Sequence, residues 1–494
     1  MHIPFNNQYV RLGEKFYAKV LPSPVSQPLL IKFNDELAAS IGFSADGHHA
    51  DEVAALFSGN VIPDGAEPLA MAYSGHQFGH FSPQLGDGRA ILLGEVNDLD
   101  GISLGLQLKG SGRTCFSRNG DGRAALGPVL REYLVSEAMA KLHVPTTRAL
   151  AVVATGDNVN RERLLPGGVI TRIASSYVRV GTFQFFASRG DIESVKRLAD
   201  YVIEHNYPQA ANAEQPYAAF FKMVIERQAR LIAQWMKSGF IHGVMNTDNM
   251  SVAGETIDYG PCAFMDQYTH NKVFSSIDQN ARYAYNNQPD MGLWNLMRLA
   301  ESILPLLDND IDEALEAAQA LLKSYMMEYE KAWLSGMRAK TGLSAIENTD
   351  QDDKILIEEL LDVMDLNHAD FTLTFYYLSQ MSIQTTEHDD HCRSLFEQAP
   401  QFDDWLEKWR ERLKRENQSD DQRQLIMQKV NPAYIPRNHQ IEAAIRAAED
   451  NDDFSVFQEL HEVLQNPFVL QPGKEKYLLP PEPEEVVHRT FCGT

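Results

Sequence analysis

The 494-residue sequence has few cysteines and no long apolar run. Its four cysteines are scattered and form no Cys-x-x-Cys pair, so we expect neither a zinc framework nor a disulfide scaffold. No segment approaches the roughly 18 apolar residues that a membrane-spanning helix needs. The amino terminus has no basic region followed by an apolar core and therefore predicts no signal peptide. We expect a cytoplasmic protein with no membrane partner.

Basic residues are also scarce relative to acidic ones. Lys and Arg total 44 against 68 Asp and Glu, which gives a formal net charge of −24. A chain this acidic is repelled by nucleic-acid phosphates and by anionic membranes, so we expect neither as a general partner. The apolar fraction of 44% is ordinary for a globular protein. The length predicts two or three domains.

The pattern of apolar residues changes along the chain. Alternating apolar stretches predict strands within residues 90–110 and 148–174, and a helix is predicted between them over 127–143. From about residue 191 helical periodicity dominates, with a long helix over 216–238 that starts at Pro216 and stops at Gly239. The fold class is therefore α+β. We place the boundaries at 1–68 (N-terminal extension), 69–180 (small mixed unit), 181–395 (large helical region) and 396–494 (C-terminal helices and tail).

A glycine-rich, locally basic segment lies in the mixed unit. Between residues 105 and 131 there are five basic residues and one acidic residue, Asp121. Gly-Asp-Gly-Arg occurs twice, at 86–89 and 120–123, and Arg172 and Arg179 follow in a second basic stretch. Glycine lets backbone N–H groups approach an anion, and Arg and Lys bind phosphate oxygens. The pattern indicates a phosphate ligand, although turns and a solvated basic face would also produce it.

Three carbonyl-bearing side chains follow the long helix. Asp248 and Asn249 are adjacent, and Asp258 comes nine residues after Asn249. Asn249 and Asp258 offer Mg²⁺ hard oxygen ligands with room for water and phosphate, which leaves Asp248 to accept a proton. A short hairpin within 250–258 would return Asp258 to the site. The alternative is that these residues only form turns.

Several long and unusual strings resemble the selenoprotein O family. They include YSGHQFGHFSPQLGDGRA, LQLKGSGRTCFSRNGDGRAALGPVLREYLVSEAM, VITRIASSYVRVGTFQ, FIHGVMNTDNMS, IDYGPCAFMD, RYAYNNQPDMGLWNL and NPAYIPRNH. These strings lie between Tyr73 and His439, so the resemblance covers most of the chain. It implies a protein-kinase-like bilobal fold with a small N-lobe at 69–180, a large helical C-lobe and added terminal segments. It also implies transfer of AMP from ATP to protein hydroxyl groups.

The resemblance assigns roles to individual residues. Asp248 would be the catalytic proton acceptor, and Asn249 and Asp258 would hold Mg²⁺ or Mn²⁺. Glu132 would pair with Lys109, as a helix carboxylate does with the strand lysine of kinases. The ATP-binding residues would be Gly86, Gly88, Arg89, Lys109, Asp121, Gly122, Arg172, Arg179 and Asp258.

The sequence departs from the standard kinase pattern. His-Arg-Asp and the phosphate-covering Gly-x-Gly-x-x-Gly are absent, and Asp248 adjoins Asn249 instead of preceding it by several residues. Alternatives are therefore a kinase that transfers the γ-phosphoryl group and a non-catalytic nucleotide-binding scaffold, and UTP is a second possible donor. The cysteine-bearing tail of the family implies a regulatory disulfide between Cys492 and Cys262; otherwise Cys262 is simply packed.

Overall fold

The computed structural model describes residues 1–346 and 348–491. Strands are concentrated before residue 175 and helices after it, which confirms the α+β class. The strands are β1 (Tyr17–Lys19), β2 (Leu29–Phe33), β3 (Leu69–Met71), β4 (Gly75–Gln77), β5 (His80–Ser82), β6 (Ala90–Asn97), β7 (Ser103–Lys109), β8 (Ala124–Ala125), β9 (Arg148–Asn160), β10 (Leu164–Ala174), β11 (Phe240–Ile241) and β12 (Ala263–Phe264).

The helices make up most of the remaining described chain. They are α1 (Asp35–Ser40), α2 (Ala50–Phe57), α3 (Leu126–Lys141), α4 (Val180–Ala187), α5 (Ile192–Asn206), α6 (Pro216–Ser238), α7 (Gln288–Leu307), α8 (Ile311–Leu322), α9 (Ser324–Thr341), α10 (Asp350–Leu366), α11 (Phe371–Leu378), α12 (His388–Arg393), α13 (Ala399–Leu413), α14 (Asp420–Gln428), α15 (Asn438–Asn451) and α16 (Ser455–Leu464). The long helix α6 has the predicted bounds, and Gly239 ends it in the left-handed conformation (φ 67°). No helix in the described ranges is long and apolar enough to span a bilayer.

One antiparallel sheet organises the first third of the chain. Its strand order is β1-β3-β6-β7-β10-β9-β2, with β8 paired to β10. Residues before position 69 therefore contribute the two outermost strands of this order, β1 and β2.

The two faces of the sheet differ in their chemistry. Leu106 and Leu108 of β7 are fully buried in an apolar cluster that includes residues of α1 and α2. Successive strand residues point to opposite faces, so Gln107 and Lys109 point the other way. Arg172 of β10 is the register partner of Gln107 on that second face. Two basic side chains thus leave the sheet from neighbouring strands.

Helix α3 packs between the sheet and the C-terminal helices. A Cβ added to Gly127 would lie 2.8 Å from a side-chain carbon of Ile445 in α15, so the helices approach closely there. The ring of Tyr133 contacts Phe457 of α16, with the ring centroids 5.7 Å apart. Residues beyond 430 therefore support the helix that carries Glu132.

A buried ion cluster attaches α15 to the middle of the chain. Arg437, with a side chain that is 0% exposed, binds the carboxylates of Asp266 and Asp370. Its Nη1 lies 2.8 Å from Asp370 Oδ2 and its Nη2 lies 3.2 Å from Asp370 Oδ1. Removal of one partner from a buried charge cluster leaves an uncompensated charge.

We expect Arg437→Met to destabilise the protein by about 3–5 kcal/mol, because two buried carboxylates lose their cation. The matched control is Arg393→Met, since the Arg393–Asp403 pair is half exposed and such pairs contribute under about 1 kcal/mol. The free energy of unfolding, measured by chemical denaturation, distinguishes the two variants. Equal losses would contradict a structural role for the buried cluster.

Candidate functional site

A cleft of about 990 Å³ lies where the glycine-rich loops of the sheet face residues 244–261. It brings together every residue assigned to the nucleotide, the metal or the proton. These lining residues are Gly86, Gly88, Arg89, Lys109, Asp121, Gly122, Arg172, Arg179, Asp248, Asn249 and Asp258. Glu132 is not part of the lining; it lies behind Lys109, with its Oε2 2.6 Å from Lys109 Nζ.

Asp258 is the centre of a buried charge cluster. Its Oδ1 lies 2.7 Å from Arg172 Nη1 and 3.3 Å from Lys109 Nζ, and its Oδ2 accepts a hydrogen bond from Arg179. Glu132 also binds Arg172, at 3.0 Å. Burial disfavours the ionised carboxylate, but the three cations prevail and hold the pKa of Asp258 well below its usual range. Asp258 is therefore a permanent anion in the cleft.

Separate elements supply the members of this cluster. Lys109 ends β7, Arg172 lies in the adjacent β10, and Glu132 projects from α3. Arg179 is the residue before α4, where its backbone is extended. Asp258 itself has a left-handed backbone (φ 62°), a conformation that Asp tolerates better than most residues. The charges therefore meet only after the sheet and helices have assembled.

Asp248 has a contrasting environment. It lies in a short 3₁₀ turn, Thr247–Asn249, and only its Oδ2 has a side-chain partner, Gln77 Nε2 at 3.3 Å. Its Oδ1 is buried and accepts no hydrogen bond from the described residues. Burial raises the pKa of Asp248 to about 6. A buried carboxylate with a free oxygen and a raised pKa has the properties of a proton acceptor.

The segment around Asp248 is held against the β4–β5 hairpin. The backbone N–H of His76 donates to Thr247 Oγ1 at 2.7 Å, and that of Phe78 donates to Asn246 Oδ1 at 3.0 Å. Arg179 also donates to the backbone oxygen of Asp248. The same arginine thus contacts both acidic segments of the cleft.

The donor set suits a hard divalent cation that also binds phosphate. Asn249 Nδ2 donates to Val244 O at 3.1 Å, which leaves its Oδ1 as a potential ligand. Within the described ranges, no three His, Cys, Asp or Glu side chains gather into a metal-binding group. One amide and one ionised carboxylate would leave the other coordination positions to water and phosphate, as Mg²⁺ prefers.

The second Gly-Asp-Gly-Arg loop lies at the rim of the cleft. Asp121 forms a two-point ion pair with Arg161, at 2.8 and 3.1 Å, and this bond lowers the pKa of Asp121. Arg123 donates to the backbone oxygens of Ser23 and Pro24. The rim therefore combines cleft-lining residues with contacts that fix the loop itself.

Not all five basic residues of the 105–131 segment line the cleft. Lys109, Arg118 and Arg123 do, whereas Arg113 and Arg131 are not part of the lining. Arg131 is buried and donates to Cys262 O at 3.4 Å. The local excess of basic residues was therefore a mixed signal, part ligand surface and part internal support.

The predicted hairpin within 250–258 does not form. Ser251 instead pairs with Arg179, and Thr256 pairs with Thr146, in isolated bridges. The strand pairing nearest this segment is β11 with β12. Asp258 is thus brought back by contacts with other parts of the chain, because the partner of a short strand is decided by non-local packing.

Four cleft residues escaped the sequence analysis: Tyr73, Gln77, Asp87 and Arg161. Asp87 is 2% exposed and accepts hydrogen bonds from Met71 N and Gln107 Nε2, both at 3.1 Å. Its position inside the first Gly-Asp-Gly-Arg motif was an available signal. Arg161 lies in the β9–β10 connection, where no motif marks it.

The sulfur chemistry is only partly described. Cys262 is buried, and burial raises the pKa of its thiol to about 12, so its thiol stays protonated at neutral pH. Cys492, its predicted disulfide partner, lies outside the described residues.

A strand lysine paired with a helix glutamate, beside an aspartate in a cationic cleft, is typical of phosphate-transferring enzymes. Comparison with known families is more specific. The family model described as "Protein adenylyltransferase SelO" matches residues 1–465. The chain belongs to this family, which confirms the predicted resemblance and the predicted nucleotidyltransferase class.

Full-length relatives support the same assignment. The chain is 56% identical over 494 residues to a protein named "Protein nucleotidyltransferase YdiU" from Rhodopseudomonas palustris (strain BisB5), covering 100% of both chains. It is also 56% identical over 490 residues to the protein of that name from Rhizobium meliloti (strain 1021), covering 99% of each. A third, from Bradyrhizobium sp. (strain ORS 278), is 54% identical over 494 residues and covers 100% of both.

The position of the Asp248 carboxylate should depend on Gly75. A Cβ at this position would lie 2.4 Å from Asp248 Oδ1, so Gly75→Ala must displace the carboxylate. We expect nucleotide transfer to fall by more than about tenfold, since small misplacements of a reacting group are costly, while ATP binding changes little. Gly473→Ala is the control, because its Cβ would meet nothing within 4 Å. Unchanged transfer by Gly75→Ala would show that this carboxylate position is unimportant.

Proposed function

We propose that this protein transfers AMP from ATP to Ser, Thr or Tyr hydroxyl groups of other proteins and releases pyrophosphate. One observation carries the assignment of roles: the cleft holds two acidic groups in opposite states. Asp258 is ionised and bound by three cations, whereas Asp248 is buried with one free oxygen. Two carboxylates with such different environments suit two different tasks.

The nucleotide phosphates are assigned to the basic side of the cleft. Lys109, Arg172 and Arg179 supply positive charge, and the loops at Gly86 and Gly122 supply backbone N–H groups. Both glycines have positive φ angles, 80° and 70°. A Cβ at Gly86 would lie 2.3 Å from the Phe116 ring, and one at Gly122 would lie 2.1 Å from Gly112 O. Larger residues would therefore disturb loops that must approach a phosphate closely.

The finer architecture proposed is the bilobal fold of protein kinases. The Lys109–Glu132 pair between β7 and α3 supports it, as does a cleft between the sheet and the segment after α6. We propose 69–180 as the nucleotide-binding N-lobe and 181–395 as the helical C-lobe. Residues 1–68 would be an N-terminal extension and 396–494 a C-terminal region with a tail.

Asn249 and Asp258 are proposed to hold Mg²⁺ or Mn²⁺. When bound, the cation would neutralise charge on the phosphate oxygens of ATP. The rest of the chemistry falls to this chain's own groups. Lys109 and the arginines orient the triphosphate, and Asp258 keeps these cations fixed in the cleft.

Asp248 is proposed to act as the general base. Its carboxylate takes the proton of the target hydroxyl, and the hydroxyl oxygen forms a bond to the α-phosphorus. The bond between the α-phosphorus and its bridging oxygen to the β-phosphate breaks, and pyrophosphate leaves with the electron pair. Positioning and charge neutralisation would supply most of the rate enhancement.

The proposed partners follow from the family and the charge. They are ATP and proteins with accessible hydroxyl side chains, in the cytoplasm. The net charge of −24 argues against nucleic acid or an anionic membrane surface as a general partner.

Labelled ATP distinguishes AMP transfer from its alternatives. With a protein acceptor and Mg²⁺ or Mn²⁺ present, we expect label from α-labelled ATP to remain on protein and label from γ-labelled ATP to be released. Retention of only the γ-label would identify a kinase and contradict the proposal. Retention of neither label would favour a scaffold. A parallel reaction with α-labelled UTP measures the choice of nucleotide.

Substitution of the two acids should separate their roles. Asp248→Asn should keep ATP binding but slow transfer by about 10²–10⁴, the range of a general base. Asp258→Asn should weaken metal–ATP binding, because three cations lose their common anion. Titration calorimetry with metal–ATP and single-turnover transfer rates measure these effects, with exposed Asp64→Asn as control. Wild-type metal–ATP affinity in Asp258→Asn would contradict its assignment as a ligand.

A further inference from the structure

A second cavity, of about 270 Å³, lies at the junction of several helices. Its walls come from the ends of α3, α6 and α9, from the start of α11 and from residues 429–435. Within the described chain it shares no lining residue with the cleft. We call it the lysine pocket, because its charged and titratable lining consists of Lys237, Lys340, Lys429 and His143.

The charge of this pocket is uncompensated. No Asp or Glu contributes to the described lining, although acidic residues outnumber basic ones in the chain as a whole. Gln234, Ser238 and Thr372 add further groups that can donate hydrogen bonds. Several donors and three potential cations around one cavity form a surface suited to an anion.

Lys340 is the strongest indication of a missing ligand. Its side chain is 2% exposed, and no carboxylate in the described ranges pairs with it. Its ammonium lies 4.3 Å from the ring centroid of Phe375 and 5.6 Å from that of Phe371. Burial, together with the charge of Lys237, lowers the pKa of Lys340 well below its usual range. A buried lysine is costly unless it is paired.

The helix ends offer only part of an explanation. Lys237 lies in the last turn of α6 and Lys340 in the last turn of α9, where lysines favour the negative end of the helix dipole. Exposed lysines obtain this benefit without burial. It therefore accounts neither for the depth of Lys340 nor for the cavity beside it.

We propose that the lysine pocket binds a small tetrahedral oxyanion, such as inorganic phosphate or the phosphate group of a small metabolite. The volume equals that of about nine water molecules at roughly 30 Å³ each, enough for a phosphate and a short organic group. Lys340 would bind the anion from the buried side, and Lys237 and Lys429 from the flanks. The proposal does not rest on the proposed transfer reaction.

The test compares oxyanion binding by full-length variants. Thermal unfolding is followed during titration with sodium sulfate, against sodium chloride at equal ionic strength, and affinities are measured by calorimetry. We expect sulfate to stabilise the wild type and Lys222→Met, an exposed control, equally. Lys340→Met should lose at least about tenfold in affinity, yet be no less stable without sulfate, because Met keeps the contacts with the phenylalanine rings.

Sulfate binding at the cleft would be the same in all variants, so only the difference due to Lys340 is diagnostic. Equal sulfate affinity in the wild type and Lys340→Met would overturn the proposal and leave the lysines as helix-end charges. Lys429→Met is the second variant, since this side chain is exposed at the pocket mouth and its loss does not disturb the core. It should weaken binding, and unchanged affinity would remove Lys429 from the site. Tighter binding of glycerol phosphate than of inorganic phosphate would identify a phosphorylated metabolite as the source.

Discussion

The ion cluster around Asp258 is the interaction on which the rest of the cleft depends. Three cations from β7, β10 and the start of α4 converge on one carboxylate, and Glu132 binds two of them from behind. Without Asp258, Lys109, Arg172 and Arg179 would face one another in a poorly solvated site. Breaking such a buried cluster is costly because unpaired charges remain. The cluster therefore holds the sheet against the segment after α6.

The same arrangement divides the two acids of the cleft. Asp258 has cationic partners that keep it ionised, whereas Asp248 is buried with a weak partner and a pKa raised to about 6. Environment, not residue type, thus separates a permanent anion from a group that can exchange a proton. Adjacent residues extend the division, since Asn249 offers an amide oxygen next to the proton acceptor.

The C-terminal region supports the site from a distance. Helices α15 and α16 pack on α3, and Arg437 joins the start of α15 to Asp266 and Asp370. Glu132 is consequently held in place by residues more than 300 positions later in the chain, such as Phe457. The lysine pocket lies in this region too, between α6, α9 and residues 429–435.

The sequence by itself determined the residue chemistry and the locally controlled elements. Helix α6 was predictable because Pro216 and Gly239 act within a few residues, and Lys109, Asp248 and Asp258 were identifiable because their motifs are short and contiguous. Only the tertiary structure decided what these residues contact. Asp87 and Arg161 joined the cleft, residues 250–258 paired elsewhere instead of forming a hairpin, and Lys340 was buried without an anion. Each outcome depends on contacts between distant segments, which local propensity and spacing do not encode.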